Sequence, residues 1–240
     1  RETVSILAHP DDAMTEDAAE ALLRRREHHE PLAYIAGRRE FFGRPFRVGP
    51  GVLIPRHETE LLIEVALGLP LPPDAQVLDS GVGSGCIAVT LALERPQWRV
   101  SGVDISTVAL AYAGENAARL GAPVDLHLAD LLPPNLTTEE AFDLIASNPP
   151  YIGVGESLPD EVREFEPPQA LFAEEGGLAF YRRIASEAPV RLSDGGWLAV
   201  EVGHTQAEAV VEIFRTHGWQ SGPAVPDLAG IARVVTAKRV

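Results

Sequence analysis

Apolar and polar positions change their period along the chain, and the changes divide it. Over residues 15–30, Ala18, Ala19, Ala21, Leu22 and Leu23 recur with helical spacing. Thr15 can cap that helix, and Arg24, Arg25 and Arg26 suit its C-terminal half. Pro31 interrupts it. Between 41 and 54, Phe41, Phe42, Phe46, Val48, Val52 and Leu53 alternate with Gly43, Pro45, Gly49, Pro50 and Gly51, which predicts a strand pair. The run Leu69-Pro70-Leu71-Pro72-Pro73 reads as a hinge or rigid connector before the next unit. From residue 75 the pattern becomes regular. It predicts strands over 76–79, 99–104, 124–128, 142–146, 197–202 and 231–237, and helices over 84–94, 106–120, 178–192 and 206–217. Strands alternating with helices of this length imply a doubly wound α/β domain, its parallel sheet covered on both faces.

Three stretches at the ends of those strands carry candidate chemistry. Asp79-Ser80-Gly81-Val82-Gly83-Ser84-Gly85 joins the first strand to the first helix. Glycines there allow a tight turn and close approach of a ligand to the backbone, while the helix start offers free N–H groups. The spacing differs from the dinucleotide pattern and lacks the Lys-Ser/Thr of a phosphate loop, so the turn predicts a cofactor without choosing one. Asp104, closing the second strand, can accept both hydroxyls of a ribose; Asp130, after the third, can accept from the amine of adenine. Asn148-Pro149-Pro150-Tyr151 follows the fourth strand. Two prolines make a rigid loop and remove two donors, which leaves carbonyl acceptors beside the Asn148 side chain. Such a loop suits a planar –NH₂ group on which Tyr151 can stack.

Composition narrows the partners. The 240 residues carry 20 Lys+Arg against 35 Asp+Glu, a net of −15. Residues 1–50 hold 8 basic and 9 acidic residues, so nearly all of the deficit lies beyond them. That balance argues against nucleic acid as the main partner, because phosphate binding is driven by Lys/Arg neutralisation. A single cysteine, Cys86, excludes an internal disulfide framework and a cysteine-based zinc site. No run of about 18 apolar residues and no basic-then-apolar leader is visible, so a soluble cytoplasmic protein, acting as a monomer without a membrane, is expected. His57 with Glu58 and Glu60 is too weak a cluster to predict a metal.

Together, Asp79 with Gly81, Gly83 and Gly85, then Asp104 and the Asn148-Pro149-Pro150-Tyr151 loop, resemble a class I S-adenosylmethionine-dependent methyltransferase acting on an amino nitrogen. Flanking blocks sharpen this. Glu30-Pro31-Leu32-Ala33-Tyr34-Ile35-Ala36-Gly37, Glu40-Phe41-Phe42-Gly43, Leu53-Ile54-Pro55-Arg56-x-x-Thr59-Glu60, Gly176-Gly177-Leu178 and Asp227-Leu228-Ala229-Gly230-Ile231-x-Arg233-Val234-Val235 are similar to the peptide chain release factor N5-glutamine methyltransferases, the PrmC or HemK family. Two positions depart from the family pattern: Ser80 stands where Leu is usual and His57 where Pro is usual.

The resemblance implies a seven-stranded, mostly parallel sheet and methyl transfer from S-adenosylmethionine to the glutamine of a release factor's Gly-Gly-Gln loop, with S-adenosylhomocysteine as product. It implies that Gly81, Val82, Gly83, Ser84, Gly85, Asp104, Asp130, Leu131 and Asn148 hold the cofactor. Asn148, Pro149, Pro150 and Tyr151 would hold the target amide, with Asn148, Pro149 and Tyr151 catalytic. It divides the chain into the tail of an N-terminal helical recognition domain (1–38), a β-hairpin linker (39–56) and a catalytic domain (57–240). The short stretch before the hairpin suggests that upstream helices of that first domain are absent from this sequence. Pro55-Arg56-x-x-Thr59-Glu60 is expected to close the cofactor pocket or simply to begin a helix. Arg24, Arg25, Arg26, Arg38, Arg39, Arg44 and Arg47 offer either a docking face or a merely solvated one. A ribosomal protein glutamine, an adenine-N6 nucleic-acid methyltransferase and a non-catalytic cofactor-binding module remain the alternatives.

Overall fold

The computed structural model describes residues 16–133 and 141–240. In chain order the elements are α1 (Glu16–Glu27), α2 (Leu32–Ala36), β1 (Arg38–Phe41), β2 (Arg44–Arg47), α3 (Thr59–Gly68), β3 (Gln76–Ser80), α4 (Cys86–Glu94), β4 (Arg99–Asp104), α5 (Thr107–Leu120), β5 (Val124–Leu128) and β6 (Phe142–Ser147). Then follow β7 (Ile152–Gly153), α6 (Asp160–Phe165), α7 (Pro168–Leu171), β8 (Phe172–Ala173), α8 (Ala179–Glu187), β9 (Leu192–Glu201), α9 (Ala207–Thr216), β10 (Gln220–Ser221), β11 (Val225–Pro226) and β12 (Ala232–Lys238). The cap expected at Thr15 lies outside the described residues.

Seven strands lie in line in the order β10-β12-β9-β6-β3-β4-β5, and the two-residue β11 pairs with β12 as an eighth. β5, β4, β3, β6 and β9 run parallel, while β12 is antiparallel to β9. Both faces of the sheet are buried, which is why its strands read as continuous apolar runs. Val77, Leu144, Ala146, Ala199 and Val234 join α3, α4 and α5 in one core; Leu78, Ile145, Leu198, Val200 and Val235 join α8 and α9 in the other. Strand order reverses between β3 and β6. Ligands bind at such a reversal, outside the carboxyl ends of the strands.

Three expectations need correction. The strand pair placed over 41–54 is the hairpin β1–β2, three residues earlier, because Phe42 and Gly43 both take positive φ (50° and 73°) between the paired residues Phe41 and Arg44. Two positive-φ residues give the tight turn whose twist matches the strands; Val48 N still donates to Gly37 O at 3.2 Å, and residues 49–54 run on outside the hairpin. The run 69–73 is no hinge between units: α3, ahead of it, buries Leu62, Ile63 and Ala66 in the same core as the sheet, and Leu69 and Leu71 pack there too. The helix over 178–192 stops at Glu187, with Leu192 already opening β9.

The hairpin and α2 are fastened to the domain rather than trailing from it. Asn116, fully buried on α5, accepts from Arg47 N at 2.7 Å and donates to the carbonyls of Arg47 and Ser84 at 3.0 and 2.8 Å. Glu60 Oε1 accepts from Phe42 N at 2.9 Å. The buried Tyr34 hydroxyl donates to Val52 O at 2.6 Å. Removing that hydroxyl leaves a buried carbonyl without a partner, so Tyr34→Phe is expected to lose about 1–3 kcal/mol in urea unfolding. An unchanged midpoint would show that α2 contributes nothing to the fold.

Candidate active site

The loop after β3 is a string of left-handed backbone. Gly81, Gly83 and Gly85 have φ of 81°, 53° and 84°, in the region that side chains disfavour. Gly81 N and Val82 N donate to Val103 O at 2.9 and 2.8 Å, and Gly85 N to Val82 O at 2.8 Å. A Cβ on Gly85 would sit 3.1 Å from Ala113 Cα, so this glycine lets α4 pack on α5 rather than facing a ligand. Asp79, fully buried behind the turn, accepts from Ala88 N at 3.0 Å and leaves Oδ1 without a partner among the described residues. Burial first, and the nearby Asp104 charge in addition, push its carboxyl up to about 7 against the Ala88 bond that lowers it.

Asp104 is oriented by two backbone donors, Gly83 N on Oδ2 at 2.9 Å and Ser106 N on Oδ1 at 2.8 Å. A carboxylate has about four lone-pair sites, so both oxygens retain capacity for further donors. Asp130 is held by Arg183, whose Nη1 and Nη2 donate to its two oxygens at 3.2 and 3.1 Å. The next residue, Leu131, is buried at φ 66°. Ser80 Oγ donates to its carbonyl at 2.5 Å and so pins this strained backbone to β3.

Two cavities open at the carboxyl edge of the sheet. The larger, about 390 Å³, is lined by Gly81, Val82, Gly83, Ser84, Asp104, Asp130 and Leu131 among others. Asn148, Pro150, Arg56 and Thr59 line it as well. The smaller, about 240 Å³, is lined by Asn148, Pro149 and Tyr151 with a mainly apolar wall that includes Leu53, Ile152, Leu158 and Leu171. Leu53, Arg56, Asn148 and Ala170 line both. The structure therefore brings the glycine turn, the two aspartates and the Asn148 loop together, with Asn148 standing where the cavities meet. Gly85 and Ser84 differ: Gly85 does not line either cavity, whereas Ser84 lines the larger with a buried Oγ that has no partner among the described residues.

The Asn148 loop is braced from several sides. Asn148 Nδ2 donates to Thr59 Oγ1 at 3.0 Å. Gln206 Nε2 donates to Tyr151 O at 2.7 Å and to Gly176 O at 3.2 Å, while its Oε1 accepts from Gly203 N at 3.1 Å. Burial foremost, with the Glu201 carboxyl nearby, pushes the Tyr151 hydroxyl up to about 12, so the ring stays neutral. Arg56 Nη2 donates to Glu166 Oε1 at 2.6 Å, and Ile54 N to Glu166 Oε2 at 3.0 Å. That buried carboxylate thus ties the Pro55-Arg56 stretch to the segment after α6, and Arg56 lines both cavities.

Gln206, Glu166, Arg183 and Glu201 escaped the sequence reading. For Glu201 a signal existed: a lone carboxylate in the apolar run Trp197-Leu198-Ala199-Val200-Glu201-Val202. Glu166 and Gln206 sit in no periodic pattern. Of the N-terminal arginines, Arg24, Arg25, Arg26, Arg44 and Arg47 pair with Glu20, Glu30, Glu161, Glu94 and Glu115. The basic face is largely neutralised from within. Among the described residues no group of three His, Cys, Asp or Glu is placed to hold a metal, and no helix is long and apolar enough to cross a membrane.

A mostly parallel sheet reversing at β3/β6, with a glycine turn and an acidic strand end at the crevice, defines a class I methyltransferase fold. Residues 57–216 match the methyltransferase small domain, and residues 1–37 the PrmC N-terminal domain. A methyltransferase from Pyrococcus furiosus shares the fold at a TM-score of 0.63 and 16% identity, over 94% of this chain and 99% of that one. The release factor glutamine methyltransferase of Koribacter versatilis is 44% identical over 98% of this chain and 85% of its own length. That of Geobacter sulfurreducens is 49% identical over 91% and 76%. The chain belongs to the release factor glutamine methyltransferase family.

Proposed function

We propose that the protein methylates the side-chain amide nitrogen (N5) of the glutamine in the Gly-Gly-Gln loop of a peptide chain release factor, using S-adenosylmethionine and releasing S-adenosylhomocysteine. The observation that carries this is the meeting of two cavities at Asn148. One has the polar backbone, carboxylates and apolar wall that a nucleoside with an amino-acid tail requires. The other is lined mainly by apolar side chains, with Asn148 and Pro149 among them. The curated relatives, named release factor glutamine methyltransferases, support the same target.

In this reading Asp104 takes the ribose hydroxyls, and the Gly81, Val82, Gly83 and Ser84 backbone takes the methionine tail, with Gly85 supporting the turn. Asp130 accepts from the adenine amine while paired to Arg183, and Leu131 and Ile105 cover the purine faces. S-adenosylmethionine supplies an electrophilic methyl group with a good leaving group. The chain's own task is orientation. An amide nitrogen is a poor nucleophile because its lone pair is delocalised into the carbonyl. Acceptors on Asn148 Oδ1 and the Pro149 carbonyl hold its two N–H bonds, and Tyr151 fixes the amide plane. Positive charge developing on the nitrogen as the N–C bond forms and the sulfonium S–C bond breaks strengthens both hydrogen bonds, and the methylated amide then loses one proton to solvent as the products leave. The apolar wall of the smaller cavity takes the glutamine methylenes and keeps water away. A nucleic-acid amine is a poorer fit for a chain of net charge −15 whose N-terminal arginines are mostly already paired.

We further read residues 1–38 as the tail of a recognition domain, 39–56 as the connecting hairpin segment and 57–240 as the catalytic domain, working in the cytoplasm where release factors act. Incubation with methyl-labelled S-adenosylmethionine and a purified release factor, followed by peptide mapping, tests the reaction. Label is expected on the Gly-Gly-Gln glutamine; label absent there, or found instead on added DNA or RNA, overturns it.

A further inference from the structure

Two turns beside the smaller cavity each hold an exposed aliphatic side chain in a fixed place, and the reaction above uses neither. The first follows the cavity wall directly. Tyr151 and Ile152 line the cavity, and the chain then turns over Gly153–Glu156. Glu156 N donates to Gly153 O at 3.1 Å, and Glu156 Oε1 accepts from Gly153 N at 2.8 Å. Val154, 76% exposed, sits on this turn. The second is Asp227–Ile231, a family block with no task assigned so far. Asp227 Oδ1 accepts from Ala229 N and Ile231 N at 2.9 and 3.0 Å, and its Oδ2 from Arg233 Nε at 3.0 Å. Asp227 N donates to Ile231 O at 2.8 Å, and Gly230 N to Asp227 O at 2.9 Å. These bonds fix a turn on which Leu228 is fully exposed.

Contacts tie the second turn to the same cavity. Gly203 lies against the Tyr151 ring, where a Cβ would come within 3.3 Å of Cδ2. Val202 N, one residue earlier, donates to Arg233 O at 2.8 Å, and Arg233 holds Asp227. Because β12 is antiparallel to β9, its start stands at the carboxyl edge of the sheet, beside the Asn148 loop. Val190 offers the contrast. It is 80% exposed too, but it precedes β9 and so stands at the opposite edge.

We propose that Val154 and Leu228 are docking contacts for the folded domain that carries the target glutamine, each covered by an apolar spot beside that domain's Gly-Gly-Gln loop. This deepens the methyl-transfer reading and rests on it. A glutamine on a folded protein reaches the smaller cavity only when the surface around its loop lies across this edge, so the partner's footprint is continuous with the cavity. An aliphatic side chain on a freely moving loop would pay ordering entropy on contact. Here the hydrogen bonds of each turn have already fixed it, so its burial against the partner adds to affinity with little further ordering. Neither side chain lines either cavity, so docking is separable from cofactor binding and from the chemical step.

Titration of a purified release factor onto the protein saturated with S-adenosylhomocysteine tests the pair. Kd for the factor is expected to rise about tenfold in Leu228→Ser and in Val154→Ser, and about 100-fold in the double variant, the product of two independent contacts. Val190→Ser should leave it unchanged. Affinity for S-adenosylmethionine, kcat at saturating factor, and kcat/KM for a short peptide carrying Gly-Gly-Gln should stay within about twofold of wild type in all variants. An unchanged Kd in the double variant, a peptide that loses as much as the folded factor, or an equal loss in Val190→Ser overturns the proposal. A wild type that binds the factor through these two side chains but leaves its glutamine unlabelled would sink the methyl-transfer reading alone. One that binds no factor sinks the docking surface.

Discussion

Asn148→Ala is expected to slow methyl transfer by about 10²–10³-fold, the usual cost of removing one preorganised polar group at a reacting centre. Affinity for S-adenosylmethionine should change by less than about tenfold, a difference of 1.4 kcal/mol. The two effects separate because Asn148 stands where the cavities meet: it closes one wall of the larger, while its oxygen is aimed by Thr59. Alanine leaves the turn at Gly81 and Gly83 and the Asp104 carboxylate untouched. In the proposed reaction it removes one of the two acceptors for the target nitrogen, so orientation is expected to suffer more than cofactor binding. Single-turnover transfer and calorimetric titration of the cofactor on the same samples measure the two quantities. Parallel losses in both would place Asn148 on the cofactor alone.

Gly177→Ala is expected to be the most disruptive single methyl group in the chain. A Cβ there would lie 2.0 Å from Tyr151 O and 2.5 Å from Gln206 Nε2, on backbone already at φ +85°. The Tyr151 carbonyl belongs to the rigid loop and cannot move without breaking its 2.7 Å bond from Gln206. We expect a loss of at least about 3 kcal/mol in urea unfolding, from left-handed strain plus overpacking, with transfer activity abolished. Gly176 is the control. It shares the left-handed conformation at φ +64°, but its Cβ would enter open space, so Gly176→Ala should cost only about 1–2 kcal/mol. Equal costs for the two would mean that Gly177 does not brace the catalytic loop.

Strands 99–104 and 124–128 were legible to the residue, because alternation or a continuous apolar run bounded by Gly, Pro and Asp is written locally. The glycine turn and the Asn148-Pro149-Pro150-Tyr151 loop were legible for the same reason: each function needs a particular backbone over four to seven consecutive residues. The hairpin was displaced by three residues because a Phe at positive φ is a poor turn signal, and Phe42 adopts that conformation beside Gly43. Between 154 and 177 no periodicity exists to be read. That segment is held by partners far away in sequence, above all Glu166 to Ile54 and Arg56.

By itself, then, the sequence determined the order of the elements, the crevice at which they open and the rigid Asn148-Pro149-Pro150-Tyr151 loop at its edge, since these follow from backbone preference and apolar period over short stretches. Only the tertiary structure decided how that loop is aimed. Asn148 meets Thr59 across 89 residues, Gln206 meets Tyr151 across 55 and Glu166 meets Arg56 across 110. None of these pairs has a local signature, because a buried hydrogen bond is selected by what the folded chain brings within 3 Å and by the cost of leaving its groups unpaired.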